Sequence, residues 1–176
     1  MKLRSIALCA TICAASFGCA SYSGSSLIPG QSSQADARAL MGEPAGKYAA
    51  PAGEAFAESW EYPRGPLGRH TYMARFDQAG KLVAIDQVLT VQTAAKIKIG
   101  SDRRNEVLAI LGRPALVAPD RRGGEYWDYA AYSSDGAPRK IRLVVTFDRE
   151  GVVTAAGESY DPEDQSPNFG GGSSTL

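Results

Sequence analysis

Few side chains in this chain could form a catalytic centre. Its 176 residues include one histidine, His70, and no Gly-x-Ser-x-Gly pattern of the kind that presents a nucleophilic serine. A Ser-His-Asp site centred on His70 is the catalytic alternative that these residue types leave open. The sequence therefore favours a protein that is not an enzyme.

Metal and phosphate sites have as little support. The sequence has no His pair, and no Cys cluster outside its apolar N-terminal segment, so the usual zinc ligands are missing. The run Asp161-Pro162-Glu163-Asp164 lacks the glycine and the spacing of a calcium loop, and we interpret it as a solvated chain end. Gly123-Gly124 lacks the lysine and the following helix of a phosphate loop. We therefore predict no metal, no cofactor and no small-molecule substrate.

Cysteine chemistry at the N-terminus indicates membrane attachment. Lys2 and Arg4 precede an apolar run over residues 5–17, which has the length of a signal peptide and is too short to span a bilayer. Ser16-Phe17-Gly18-Cys19 then resembles a bacterial lipobox. We predict that residues 1–18 are removed and that Cys19 is lipidated. The alternative is cleavage after Ala20, which leaves a soluble periplasmic protein.

The residues after Cys19 fit an anchored protein. Cys19 is then the only cysteine, so an internal disulfide is excluded and lipidation explains the lone thiol. Residues 19–26 are polar and flexible in composition and predict a tether. Ala20 and Ser21, in place of aspartate, favour the outer membrane over the inner one. The tail over residues 163–176 is rich in Gly and Ser and predicts disorder.

Charge excludes two classes of partner. After the signal peptide, 17 basic residues stand against 19 acidic ones. A formal charge of −2 indicates neither a nucleic-acid partner nor electrostatic binding to bulk anionic lipid. The membrane is therefore reached through the lipid anchor alone.

The chain contains one pattern twice, about 70 residues apart. Gly30 and Gly42 are separated by the same distance as Gly100 and Gly112, and a proline follows the second glycine by two residues in both copies. The remaining matched positions are Trp60-Glu61-Tyr62 with Trp127-Asp128-Tyr129, and Phe76-Asp77 with Phe147-Asp148. Such a repeat predicts two modules, over residues 27–90 and 91–162.

Each copy predicts one α+β module. A helix ends at the second glycine, capped at its start by Ser32 or Ser33 in copy one and by Ser101 or Asp102 in copy two. Alternating apolar residues then predict a three-stranded antiparallel meander. The predicted strands cover residues 58–62, 69–77 and 82–89 in copy one, and 126–132, 140–148 and 152–160 in copy two. The variable segments, residues 45–56 and 115–124, leave room for a second short helix. The two modules, each small for an independent core, are expected to fold as one body.

The second copy resembles a known family. Residues 97–114 read Ile-Lys-Ile-Gly, then Val-x-x-Ile-Leu-Gly-Arg-Pro, and they are followed by Glu-Tyr-Trp-Asp-Tyr and a Phe-Asp-x-x-Gly hairpin. This pattern is similar to that of the small protein A/BamE outer-membrane lipoproteins, whose wider fold group includes the β-lactamase inhibitory proteins. The resemblance covers roughly residues 27–160. It implies a BamE-like fold, a periplasm-facing place on the outer membrane, and the β-barrel assembly machinery as partner.

Binding residues are predicted in two places. The aromatic residues of the first meander strands, among them Tyr62 and Tyr132, either line an exposed face or form the core of each repeat. The loop with Arg64, Pro66 and Arg69 has no counterpart in copy two and predicts an exposed recognition surface. The sequence favours a non-enzymatic scaffold or accessory lipoprotein that binds an envelope protein. The alternative is a periplasmic inhibitor-like protein that captures an enzyme on a two-module sheet.

Overall fold

A computed structural model of the chain describes residues 22–133 and 138–162. The predicted signal peptide, Cys19 and the predicted disordered tail lie outside the described residues. Within the described ranges, no helix is long and apolar enough to cross a membrane.

Both repeats form a helix followed by a four-stranded antiparallel sheet. The elements of module 1 are α1 (Gln34–Met41), β1 (Gly46–Ala49), β2 (Glu58–Arg64), a 3-10 turn (Pro66–Gly68), β3 (His70–Phe76) and β4 (Leu82–Gln87). A short helix, α2 (Val91–Ala94), links the modules. The elements of module 2 are α3 (Arg104–Leu111), β5 (Leu116–Pro119), β6 (Glu125–Tyr132), β7 (Lys140–Phe147) and β8 (Val153–Tyr160). Each sheet has its strands in chain order.

The prediction of three strands per module is wrong, because each variable segment adds an edge strand. In β1, Lys47 lies opposite Trp60 of β2, and in β5, Val117 lies opposite Trp127 of β6. The suggested second short helix is therefore absent from both described segments. A four-residue edge strand is stabilised by its neighbour's hydrogen bonds, and it is too short for alternation to reveal it.

The repeat persists in packing detail. The ring centroids of Trp60 and Phe76 are 4.8 Å apart at 55°, and those of Trp127 and Phe147 are 4.7 Å apart at 56°. A register shift precedes the phenylalanine in both sheets. The two copies therefore share one three-dimensional design as well as a pattern of residues.

The helix starts differ from prediction in the second copy. Ser33 caps α1 as predicted, and its side chain accepts from the Asp36 N–H. In copy two, however, the N-cap is Arg103 rather than Ser101 or Asp102, and the Glu106 carboxylate accepts from the Arg103 N–H at 3.0 Å. Glu106 is the third residue of its helix, as Asp36 is in α1. Both copies therefore keep the acidic residue of the capping box, whereas the N-cap residue differs.

Glycine ends both helices in a backbone region that other residues avoid. Gly42 has φ 85° and ψ −170°, and Gly112 has φ 80° and ψ −161°. The positive φ agrees with the prediction, whereas the ψ values place both glycines in the extended positive-φ region rather than the left-handed helical one. This region is almost exclusive to glycine.

The two modules share a core. The core of module 2 contains Met73 of β3, together with Val88 and Leu89 from the connection between the modules. The next residue of β3, Ala74, belongs instead to the core of module 1 under α1. Because neighbouring residues of a strand point to opposite faces, sheet 1 is buried on both. α3 packs against β1 and β3 on the second face.

Part of the predicted tether also belongs to the folded body. Gly24 is buried, and a Cβ built on it would lie 2.6 Å from the Met41 sulfur and 2.7 Å from Ile85. The Tyr22 carbonyl accepts from the Arg64 guanidinium at 3.1 Å. The described end of this segment is therefore held against module 1.

Candidate functional site at the module junction

A buried carboxylate lies where the modules meet. In β2, Trp60 and Tyr62 face the core under α1, so the residue between them, Glu61, faces module 2. Its side chain is only 2% exposed. The carboxylate accepts from the Tyr48 hydroxyl at 2.5 Å, from the Arg113 N–H at 3.1 Å and from the Arg113 Nε at 3.3 Å. Glu61 thus joins its own sheet to Arg113, the second residue after the end of α3.

The tyrosines around Glu61 are neutral hydrogen-bond donors. Burial, and then the hydrogen bond to Glu61, raises the pKa of the Tyr48 phenol. Burial, followed by the negative charge of Glu61, raises the pKa of Tyr129. The Tyr129 hydroxyl donates to the Gly112 carbonyl at 3.1 Å. The cluster therefore offers fixed donors and one satisfied carboxylate, which is an arrangement that positions two modules rather than one that transfers protons.

The equivalent acid of module 2 has a different role. Asp128 receives two hydrogen bonds from the Arg142 guanidinium, at 2.7 and 2.9 Å, within its own sheet. The repeat thus places an acid between Trp and Tyr in both copies, but only Glu61 reaches across the junction.

A shallow cleft opens beside this cluster. It has a volume of about 190 Å³ and is lined by Glu61, Leu67, Arg113 and Tyr129 among others. Sites for small organic ligands usually measure about 300–1,000 Å³. The cleft is therefore too small to support a typical ligand site. The described residues contain no group of three or more His, Cys, Asp or Glu side chains arranged to hold a metal.

A second cross-module contact involves Arg69. Its guanidinium lies 2.8 Å from the Asp161 carboxylate, and the two side chains are 3% and 1% exposed. Arg69 Nη1 also donates to the Ala131 carbonyl of β6 at 3.2 Å. The expectation that Arg69 is exposed is therefore wrong, as is the interpretation of Asp161 as part of a solvated chain end. The pair fastens the start of β3 to the end of β8.

The other predicted binding residues vary in exposure. Tyr62 is fully buried, so of its two predicted alternatives the core is correct and its assignment to a partner-binding surface is wrong. Arg64 is half-buried and donates to the carbonyls of Tyr22 and Met41. Tyr132 is half-buried and stacks on His70, with ring centroids 5.2 Å apart. Pro66 is exposed. Trp60, Tyr62, Trp127 and Tyr129 form the core of each repeat, which was one of the two predicted readings.

His70 is placed against aromatic residues. Its Nδ1 lies 3.0 Å from the Tyr22 hydroxyl, and the ring stacks on Tyr132. Neither neighbour is a serine or a carboxylate, so the geometry around His70 gives the Ser-His-Asp alternative no support.

Sequence reasoning missed an apolar stretch on the outer edge of sheet 2. Leu116 and Val117 of β5 are 47% and 52% exposed. The matched positions of β1 hold Gly46 and Lys47, and the Lys47 ammonium lies 4.4 Å from the centre of the Trp60 ring. Lysine and proline on an edge strand discourage pairing with another chain; β5 has no lysine, and its proline is the last residue, Pro119. The difference between Lys47 and Val117 is seen only when β1 and β5 are aligned through the tryptophans that they pair with, Trp60 and Trp127.

Comparison with known proteins identifies the second half of the chain. Residues 86–157 match the family model described as the outer membrane protein assembly factor BamE domain. The chain contains a BamE domain. The match runs from the end of β4 into β8, so it confirms the predicted resemblance for the second copy, and residues 27–85 lie outside it. The description of that family is of an outer-membrane protein assembly factor. No curated protein matches the chain, and no solved structure does.

Proposed function

We propose that the chain is a non-enzymatic, lipid-anchored accessory protein of outer-membrane protein assembly. The observation that carries this proposal is the BamE domain at residues 86–157, which encloses α3 and almost all of sheet 2. Module 1 supports that domain, because its strand β3 contributes Met73 to the same core. The partner is an envelope protein, with the β-barrel assembly machinery as the first candidate.

Attachment through Cys19 is the first part of the proposal to test. The apolar signal, the small residue Gly18 and the polar segment after Cys19 support it. Several acyl chains give effectively permanent attachment, since each buried methylene contributes roughly 0.8 kcal/mol. Cys19→Ser should move the protein from the membrane fraction to the soluble periplasmic fraction. Retention of Cys19→Ser in the membrane pellet after a high-salt wash would show that the anchor is assigned wrongly.

The partner surface is proposed on the edge of the BamE domain. β5 presents Leu116 and Val117 beside unpaired backbone groups, and exposed sheet edges are a common way to bind an extended segment of another protein. A photo-activated cross-linking residue in place of Val117 should capture a component of the assembly machinery in intact cells. The matched control is Lys47, which has the equivalent place in module 1. Equal capture from both positions, or none from Val117, would contradict the assignment.

The inhibitor-like alternative has less support. It requires a sheet that extends over both modules, whereas the described strands form two separate sheets. Sheet 1 has buried side chains on both faces, including Trp60 on one and Met73 on the other. That sheet offers no open face for capturing an enzyme.

A further inference from the structure

The tip of the β2–β3 hairpin carries an exposed leucine in an unfavourable conformation. Leu67 has φ 56° and ψ 18°, and among the described residues it is the one non-glycine residue with a positive φ. Its side chain is 56% exposed. Left-handed backbone is costly for a residue with a Cβ, and glycine or asparagine adopts it more easily. Leu67 also lines the cleft beside Glu61, but more than half of the residue remains in contact with solvent.

The chain that leads to Cys19 leaves the structure beside this tip. The Tyr22 carbonyl accepts from Arg64 at 3.1 Å, and its hydroxyl lies 3.0 Å from His70 Nδ1. Arg64 and His70 are paired residues on the two strands of the hairpin. A Cβ built on Gly65, at the start of the tip, would lie 3.5 Å from the Tyr22 hydroxyl. Tyr22 is thus fastened to the base of the Leu67 tip, defined here as residues 65–68.

The distance from Tyr22 to the proposed anchor is short. Cys19 precedes Tyr22 by three residues, and three extended residues span at most about 10 Å. The headgroup region on one side of a bilayer is roughly 5–8 Å deep. An acylated Cys19 at the hydrocarbon boundary therefore keeps Tyr22 within about 10 Å of that boundary, and the Leu67 tip is fastened to Tyr22.

We propose that the Leu67 tip inserts into the headgroup region of the leaflet that holds the lipid anchor. The proposal rests on lipidation of Cys19, which belongs to the proposed function. Leu67 supplies the apolar side chain, Pro66 has no N–H group to desolvate, and tyrosine is favoured at membrane interfaces, as at Tyr22. The acyl chains supply the binding energy, so insertion of the tip fixes the orientation of the molecule.

Ile99 offers a matched control at the other end of sheet 1. It is 60% exposed, similar to Leu67. Its neighbour Lys98 lines the same cavity as Phe56, which lies just before the start of β2. The Leu67 tip follows the last residue of β2, whereas Ile99 lies near the first. Because β2 has seven residues, about 20 Å separates these two ends of the strand.

The test uses the full-length lipidated protein in phosphatidylethanolamine and phosphatidylglycerol vesicles that contain a doxyl-labelled lipid quencher. Acylation occupies the Cys19 thiol, so a fluorophore can be attached at Leu67→Cys or Ile99→Cys alone. We expect quenching at position 67 to exceed that at position 99 at least threefold. A label at Pro66→Cys should be quenched like that at position 67, and adding Leu67→Asn, which suits the local backbone, should at least halve its quenching.

The outcomes separate this inference from the proposed function. Equal quenching at positions 67 and 99, in protein whose N-terminal peptide mass shows acylation, overturns tip insertion and leaves the anchor in place. Protection of position 67 only when a partner protein is added also overturns it, because the tip would then be a protein-binding surface. An N-terminal peptide without acyl chains overturns both the anchor and the inference.

Discussion

At the scale of single residues, the same sequence pattern has different uses in the two modules. Both copies place an acid between a buried tryptophan and a buried tyrosine. Asp128 remains within its sheet by pairing with Arg142, whereas Glu61 binds Arg113 of the other module. The difference follows from what covers each sheet, since sheet 1 receives α3 on the face that Glu61 occupies. Module 1 therefore packs against the BamE domain through this face of its sheet.

Tyr62 and Tyr129 give the first pair of contrasting predictions. The buried Tyr62 hydroxyl has no hydrogen-bond partner among the described residues, whereas the Tyr129 hydroxyl donates to Gly112. A buried polar group without a partner lowers stability. Tyr62→Phe should leave the free energy of unfolding at pH 7 unchanged or raise it by up to about 1 kcal/mol. Tyr129→Phe, the matched control, should lower it by about 1 kcal/mol in denaturant titrations. A loss in Tyr62→Phe as large as in Tyr129→Phe would contradict this account.

The same substitution has a pH signature. Burial, as the main cause, raises the pKa of Tyr62 from 10.0 to about 12. Between these values the unfolded state loses its proton while the folded state keeps it, so stability is full below pH 10 and falls as the pH rises. Tyr62→Phe should make this fall shallower between pH 10 and 12 and leave the profile below pH 9 unaffected. Unchanged alkaline slopes would be evidence against the buried phenol.

Arg69 should be a structural residue. Arg69→Ala removes the guanidinium that lies 2.8 Å from the buried Asp161 carboxylate, and breaking a buried ion pair in this way typically costs about 3–5 kcal/mol. The melting temperature should fall markedly. The double variant Arg69→Met with Asp161→Leu removes both charges and should recover most of the loss, because apolar replacements of a buried ion pair are often tolerated. A melting temperature in Arg69→Ala equal to that of the wild type would contradict the buried pair.

This pair also shows where sequence reasoning ends. Arg69 lies in a segment rich in Pro and Gly, and Asp161 begins an acidic run, so each alone has the local features of a solvated residue. They meet because the two modules pack together, at a sequence separation that no local pattern encodes. The positions of Trp60 and Trp127 were easier to predict. Their alternation with the surrounding apolar residues already gave the core as one of the two predicted alternatives.

At the scale of elements, the ends of α1 and α3 provide a matched comparison. Gly42 and Gly112 share nearly the same backbone angles. A Cβ on Gly42 would meet nothing within 4 Å, whereas one on Gly112 would lie 2.9 Å from the Glu61 carboxyl group. Both substitutions to alanine should cost about 1–3 kcal/mol from backbone strain. Gly112→Ala should cost more, because it also disturbs the junction, and chemical denaturation measures both.

The extra cost of Gly112→Ala comes from the junction only if that cost depends on the Glu61 side chain. In a Glu61→Ala background, which removes the carboxylate, the two glycine substitutions should have similar effects. If Gly112→Ala remains the more harmful one in that background, the close approach of Glu61 is not its cause.

The longer elements were predictable because each carries its own pattern. Strand β7 was predicted over residues 140–148 and extends over Lys140–Phe147, with alternate residues fully buried. The edge strands β1 and β5 were missed, since four residues give too few alternations and their stability comes from β2 and β6. The exposed Leu116 and Val117 were missed with them. The partner surface proposed here therefore depends on an element that the sequence does not reveal.

At the scale of the whole molecule, the BamE domain and module 1 form one packed body. α3 lies between the sheets, with Val107 and Leu111 in the same core as Met73 of β3. The connection between the modules adds Val88, Leu89 and Ala94 to that core. A chain cut between the modules would expose these residues, so we expect neither half to be stable alone.

The most direct test of this shared core uses the two tryptophans, one in each module. Trp127→Phe leaves Trp60 to report on module 1, and Trp60→Phe leaves Trp127 to report on the BamE domain. Each variant is unfolded in denaturant, and its tryptophan-fluorescence midpoint is corrected for the stability change that its own substitution causes. The corrected midpoints of the two variants should be the same. Adding Leu111→Ala, a truncation of a fully buried side chain in α3, should lower both stabilities together by about 2–5 kcal/mol. If Leu111→Ala shifts the Trp127 transition and leaves the Trp60 transition in place, the modules are independent domains and the central claim is wrong.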